Sequence, residues 1–94
     1  MVKGVKMKFP NSELDISNAH KYAFQNKPYL LHDSRCGCYH CLKIFSPIEI
    51  TRYADDNSIG TAICPYCGVD AVIGESSGLP ITKTFLEKMH NKWF

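Results

Sequence analysis

Cys36-Gly37-Cys38-Tyr39-His40-Cys41-Leu42 and Cys64-Pro65-Tyr66-Cys67-Gly68 decide the reading of this chain. Each holds a Cys-x-x-Cys pair, Cys38/Cys41 and Cys64/Cys67, and 22 residues separate the two pairs. Two such pairs at this spacing predict one tetrahedral thiolate site built from Cys38, Cys41, Cys64 and Cys67, with Zn2+ as the metal. Pro65 and Gly68 suit a tight turn that aims backbone N–H groups at the sulfurs. Soft thiolates suit zinc, or iron of the rubredoxin kind, over hard cations. The first stretch has Leu42 where a rubredoxin knuckle has glycine, which weighs against iron. Four cysteines also close the coordination sphere, so the expected zinc is structural and not catalytic.

Outward from the knuckles the chain reads as short elements. Leu42-Lys43-Ile44-Phe45 suits a strand. Ser46-Pro47-Ile48-Glu49 combines a capping-box pattern with proline at the first helical position, predicting a helix over about 47–54. Thr61–Ile63 is expected to run as a strand into the second knuckle, and Val69–Ile73 to leave it as another. Thr82 or Thr84 is placed to cap a last helix, with Thr84 and Glu87 at capping-box spacing. Phe85, Met89 and Trp93 recur on one face of that helix, with Leu86 beside them. Before the knuckles, Val5, Met7 and Phe9 alternate with Lys6 and Lys8, as in a short half-buried strand or a basic tail. A first helix is expected over roughly 13–26, ended by Pro28, and Tyr29–Leu31 as a short strand. The whole predicts one α+β domain over residues 1–94, a small zinc-ribbon or treble-clef-like fold with short strands, an N-terminal helix and a C-terminal helix.

At 94 residues the core alone gives little margin, and a metal is a usual staple for such a chain. Hydrophobic content of 45% with 21% charged residues is that of a folded protein, and a net charge of +2 is too small to announce a nucleic-acid binder by itself. Five cysteines are an odd number, no signal-peptide core is legible near Met1, and no apolar run approaches a membrane span. A cytoplasmic protein without membrane attachment is the expectation.

The remaining polar residues leave function open. Cys36 reads as a small buried residue beside the site, with a ligand swap for Cys38 or a reactive thiol as the other readings. His40 lies between two ligands and is expected to point away from them. His90 with Asp70, or His20 with His32 alongside Asp33 and Ser34, could supply acid–base chemistry in a small hydrolase or nuclease. Lys3, Lys6, Lys8, Lys21, Lys27, Arg35 and Lys43, with Tyr22, Phe24, Tyr29 and Tyr39, could form a basic aromatic surface for single-stranded nucleic acid, or a solvated face over a partly buried core. A module that binds a protein or nucleic-acid partner is the leading reading and an enzyme the alternative.

Three stretches are also similar to a family of short bacterial proteins, described as cytoplasmic or hypothetical. They are Cys36-Gly37-Cys38-Tyr39-His40-Cys41, Thr61 to Gly74, and Gly78 to Phe94, which ends in Met89-His90-Asn91-Lys92-Trp93-Phe94. The resemblance covers about two-thirds of the chain and implies a zinc-ribbon-like cytoplasmic protein with no established activity. It draws attention to Asp70, His90 and Trp93 within these stretches and to Ser77 beside the third, and assigns none of them a role.

Overall fold

Cys36, Gly37 and Cys38 sit at the centre of a three-stranded antiparallel sheet, and the rest of the chain is arranged around them. The computed structural model describes residues 19–55 and 58–94. The strand expected over 5–9 and the first part of the helix expected over 13–26 lie outside the described residues. β1 (Cys36–Cys38) pairs on one side with β2 (Ile44–Phe45), Cys36 facing Phe45. On its other side it pairs with β5 (Val72–Gly74), Cys36 facing Gly74 and Cys38 facing Val72. A second ribbon pairs β3 (Tyr53–Ala54) with β4 (Thr61–Ala62). The result is a small α+β fold of short antiparallel strands with a C-terminal helix.

That helix, α2 (Lys83–Trp93), follows α1 (Lys27–Leu30) in the chain. Thr82, not Thr84, caps α2: its hydroxyl accepts the Phe85 N–H at 3.2 Å. Phe85, Leu86 and Met89 are buried, whereas Trp93 at the end of the stripe is 38% exposed. The helix lies close on the sheet at Gly37, where a Cβ would stand 2.8 Å from a Leu86 methyl. Burial of a side chain such as Leu86 contributes about 2 kcal/mol, and here it requires glycine beneath it.

Three expectations are corrected. The helix expected over 47–54 is only a 3-10 turn, Pro47–Glu49. Its capping box is present, with Ser46 Oγ accepting the Ile48 N–H and Glu49 accepting the Ser46 N–H, yet Ile50 is already extended. Residues beyond it are taken by the second ribbon, where Tyr53 pairs with Ala62 and the Arg52 carbonyl accepts the Ile63 N–H. Tertiary pairing overrides the local cap. Tyr29–Leu31 is not a strand, since α1 covers Lys27–Leu30 with Pro28 in its first turn, a position where no N–H is missed. The helix expected to reach residue 26 ends as a 3-10 turn, His20–Ala23, followed by extended Phe24.

Asn26 explains that early end. Its side chain is buried at 4% exposure and is shared among three segments. Nδ2 donates to the Tyr22 carbonyl and to the Val72 carbonyl of β5, while Oδ1 accepts the Ala62 N–H of β4. Gln25 before it takes φ of 51° and donates its N–H to Thr61 Oγ1, so the chain reverses there to place Asn26 inside. One amide thus links both strand pairs to the first turn. Replacing it strands an N–H and two carbonyls in the interior. Asn26→Ala is therefore expected to lower unfolding free energy by about 3 kcal/mol, measured by urea denaturation of the metal-loaded protein. A loss below about 1 kcal/mol would show that these bonds do not carry the junction.

Candidate metal centre

The two Cys-x-x-Cys stretches fold into matching turns. In the first, the Leu42 N–H donates to the Cys38 carbonyl at 2.8 Å and the His40 N–H to Cys38 Sγ at 3.4 Å. In the second, the Gly68 N–H donates to the Cys64 carbonyl at 2.9 Å and the Tyr66 N–H to Cys64 Sγ at 3.4 Å. Each turn is closed at its base by the first cysteine's N–H, Cys38 to the Lys43 carbonyl and Cys64 to the Val69 carbonyl. The residue after each second cysteine must adopt positive φ. Gly68 does so at 78° without steric cost, and Leu42 does so at 70° against it. Leu42 is partly buried and packed on the core, which offsets a penalty of about 1 kcal/mol.

β1 carries Cys38 into the first turn, and the second turn lies between β4 and β5. The pairing of β1 with β5 then brings the turns together. The four Sγ atoms lie within 4.8 Å of one another, with Cys38–Cys67 at 3.6 Å and Cys41–Cys64 at 3.7 Å. A tetrahedron with metal–sulfur bonds of about 2.3 Å has edges of about 3.8 Å, whereas a disulfide needs about 2.05 Å. The cluster could therefore hold one metal ion, and the donor set fits a soft cation with no open position.

As free thiols Cys38, Cys64 and Cys67 are not equivalent. Burial holds Cys38 and Cys67 above the ordinary thiol range. Burial opposes ionisation at Cys64 too, but N–H groups of Tyr66 and Cys67 and the thiols of Cys41 and Cys67 outweigh it and lower its pKa. Cys64 is thus the readiest of these three to present a thiolate. Since the protons must leave on binding, metal affinity rises with pH.

Cys36 stands outside this cluster. It is fully buried, its thiol donates to the Phe45 carbonyl at 3.5 Å, and burial, with the charge of Asp33 next, pushes it up to about 12. An inert packing residue is the role this geometry supports. The histidines are dispersed relative to the acid–base pairs read from the sequence. His90 Nδ1 is 3.2 Å from the Tyr39 carbonyl, which only accepts, so Nδ1 carries the proton. His20 packs on Trp93 with ring centroids 4.1 Å apart. Among the described residues no hydrogen bond joins His90 to Asp70 or His20 to His32. His40 packs edge-on against Phe94 at 4.7 Å, so the residue between the two first-turn cysteines faces α2. Tyr39 is 6% exposed and leaves the aromatic surface expected of it, whereas Tyr22, Phe24 and Tyr29 remain exposed. Sequence reading missed the contact of Tyr39 and His40 with His90 and Phe94, because 51 residues separate Tyr39 from His90.

Compared with protein-family models, curated proteins and solved structures, the chain matches none of them.

Two outcomes follow from the centre. Removing a bound metal with a chelator should release the first turn from His90 and Phe94. Because Trp93 is the one tryptophan in the sequence, its emission should shift to the red, and thermal unfolding should lose its cooperative transition. An unchanged transition after verified metal removal would contradict a clasp at these cysteines. Gly68→Ala should cost about 1 kcal/mol through the backbone alone, because no atom lies within 4 Å of the added Cβ. A loss of metal stoichiometry in that variant would instead mean the turn itself had failed.

Proposed function

We propose that this chain is a small cytoplasmic protein in which Cys38, Cys41, Cys64 and Cys67 hold one structural Zn2+, and that it binds a protein or nucleic-acid partner. The observation that carries the reading is the closed four-sulfur cluster. Four protein thiolates occupy every position of a tetrahedral ion, so a bound zinc supplies cross-linking and charge neutralisation and offers no site for a substrate. Zinc is preferred over iron because Leu42 occupies the position where a rubredoxin turn has glycine. The resemblance to short bacterial zinc-ribbon-like proteins supports the same assignment, since its motifs fall on the two turns, β5 and α2.

Among the described residues no helix is long and apolar enough to cross a membrane. The hydrolase or nuclease alternative finds less support, because among the described residues no hydrogen bond joins His90 to Asp70 or His20 to His32, and His20 packs on Trp93.

Metal analysis of protein purified without added metal should find one zinc per chain. The zinc-loaded protein, used as bait in lysate, should retain a partner that is released on chelation. One iron per chain with a coloured product would overturn the metal. A specific turnover lost in His90→Gln while the fold survives would overturn the module in favour of the enzyme.

A further inference from the structure

A cavity of about 580 Å3 opens away from the cysteines, within the range of about 300–1,000 Å3 typical of ligand clefts. Its floor includes Leu30, buried at 1% exposure. Its outer wall is made by Tyr22, Phe24 and Tyr29, which keep 39%, 62% and 64% of their surface exposed. Three aromatic residues from one eight-residue stretch thus line a cleft, on a stretch that Asn26 fixes to both strand pairs. Exposed aromatic residues on an anchored stretch of backbone are the material of a stacking site.

The charges around the cavity say what stacks there. Lys21 lines it, with Nζ 5.3 Å from the Tyr22 ring centroid. Among the described residues no carboxylate lines the cavity, and Asp33 and Glu75, bonded to or beside its lining residue Ser76, are already engaged in hydrogen bonds. Asp33 Oδ2 accepts the N–H and the hydroxyl of Ser76. Glu75 Oε1 accepts the Ser34 and Arg35 N–H groups, and its other oxygen lies 4.0 Å from Arg35 Nε. An ammonium beside an exposed ring matches a phosphate beside a base, whereas an uncharged apolar peptide would leave Lys21 without a counterpart. Bases paired inside a duplex cannot reach such rings, but those of a single strand can.

We propose that this cavity binds single-stranded nucleic acid, one base stacking among Tyr22, Phe24 and Tyr29 and Lys21 meeting the adjoining phosphate. The proposal rests on the binding-module reading above and names its partner.

The test is fluorescence anisotropy of the zinc-loaded full chain with a labelled oligothymidylate of about twelve nucleotides, titrated across salt. Binding should exceed that to a duplex of the same length. Phe24→Ala and Tyr29→Ala should each weaken it about 5- to 100-fold, the loss expected of one base–aromatic stack. Lys21→Gln should flatten the log–log salt slope by about 0.7, as for one phosphate contact on a single strand. Both aromatic side chains are mostly exposed, and an unchanged cobalt–thiolate absorption spectrum in each variant confirms that the fold survives. Binding that ignores both aromatic substitutions, or no binding to the single strand, overturns the proposal. If lysate capture by the wild-type protein then still yields a protein partner released on chelation, the module reading stands without this site. If it yields nothing, both fail.

Discussion

Four sulfur atoms within 4.8 Å of one another set the terms for everything else in this chain. As thiolates they repel; as thiols they are weak hydrogen-bonding groups in a core of limited size. A soft divalent cation removes both problems and ties two turns that stand 22 residues apart in sequence. Two of the four cysteines, Cys38 and Cys64, are themselves core residues at 0% and 1% exposure. The cluster that could hold a metal is therefore a piece of the interior, in one core with Val72 and Leu86.

The two turns share a hydrogen-bond scheme but differ in what surrounds them. Tyr66 of the second turn faces outward at 51% exposure and donates its hydroxyl to Glu49, which also closes the capping box with Ser46. That pair lowers the Glu49 pKa, through Tyr66 first and the Ser46 N–H second. The first turn instead faces α2. Tyr39 meets His90 through its carbonyl and Phe94 through its ring, and His40 meets Phe94. Leu42 follows from the same asymmetry. On the inward turn a side chain that packs on the core outweighs an easier backbone, and on the outward turn Gly68 has no neighbour to pack against.

How far the sequence discloses this depends on the range of each interaction. The central strand Cys36–Cys38 is hidden within the cysteine motif, and Thr84 competes with Thr82 for the cap. The four cysteines, the segments of β2, β4 and β5 and the Phe85, Leu86 and Met89 stripe of α2 are legible, because ligand spacing and helix periodicity are local patterns. The helix over 47–54 fails for the converse reason. Ser46, Pro47 and Glu49 specify one turn faithfully, and nothing in Ile50–Ala54 announces that β4 will draw that segment into a ribbon. Asn26 is less legible still. An asparagine before Lys27-Pro28 reads as an ordinary surface residue, yet its partners lie 36 and 46 positions away, and only the folded chain shows them.

None of the four cysteines lines the aromatic cleft, but a continuous set of contacts runs from the one to the other. Cys38 and Cys41 flank Tyr39 and His40; these meet His90 on α2 and Phe94 just after it. Trp93, one residue before Phe94, packs at a tilt on His20, and His20 opens the 3-10 turn that carries Lys21 and Tyr22 to the cleft. Each link is a packed ring or a hydrogen bond of modest worth, roughly 0.5–1.5 kcal/mol. Contacts of that size do not transmit a signal by themselves. They join the first turn to the segment that carries the rings at the cleft, beside the Asn26 bonds that fix the same segment to both strand pairs. A metal held by the four cysteines would in this way brace, without touching it, part of the chain that presents the cleft.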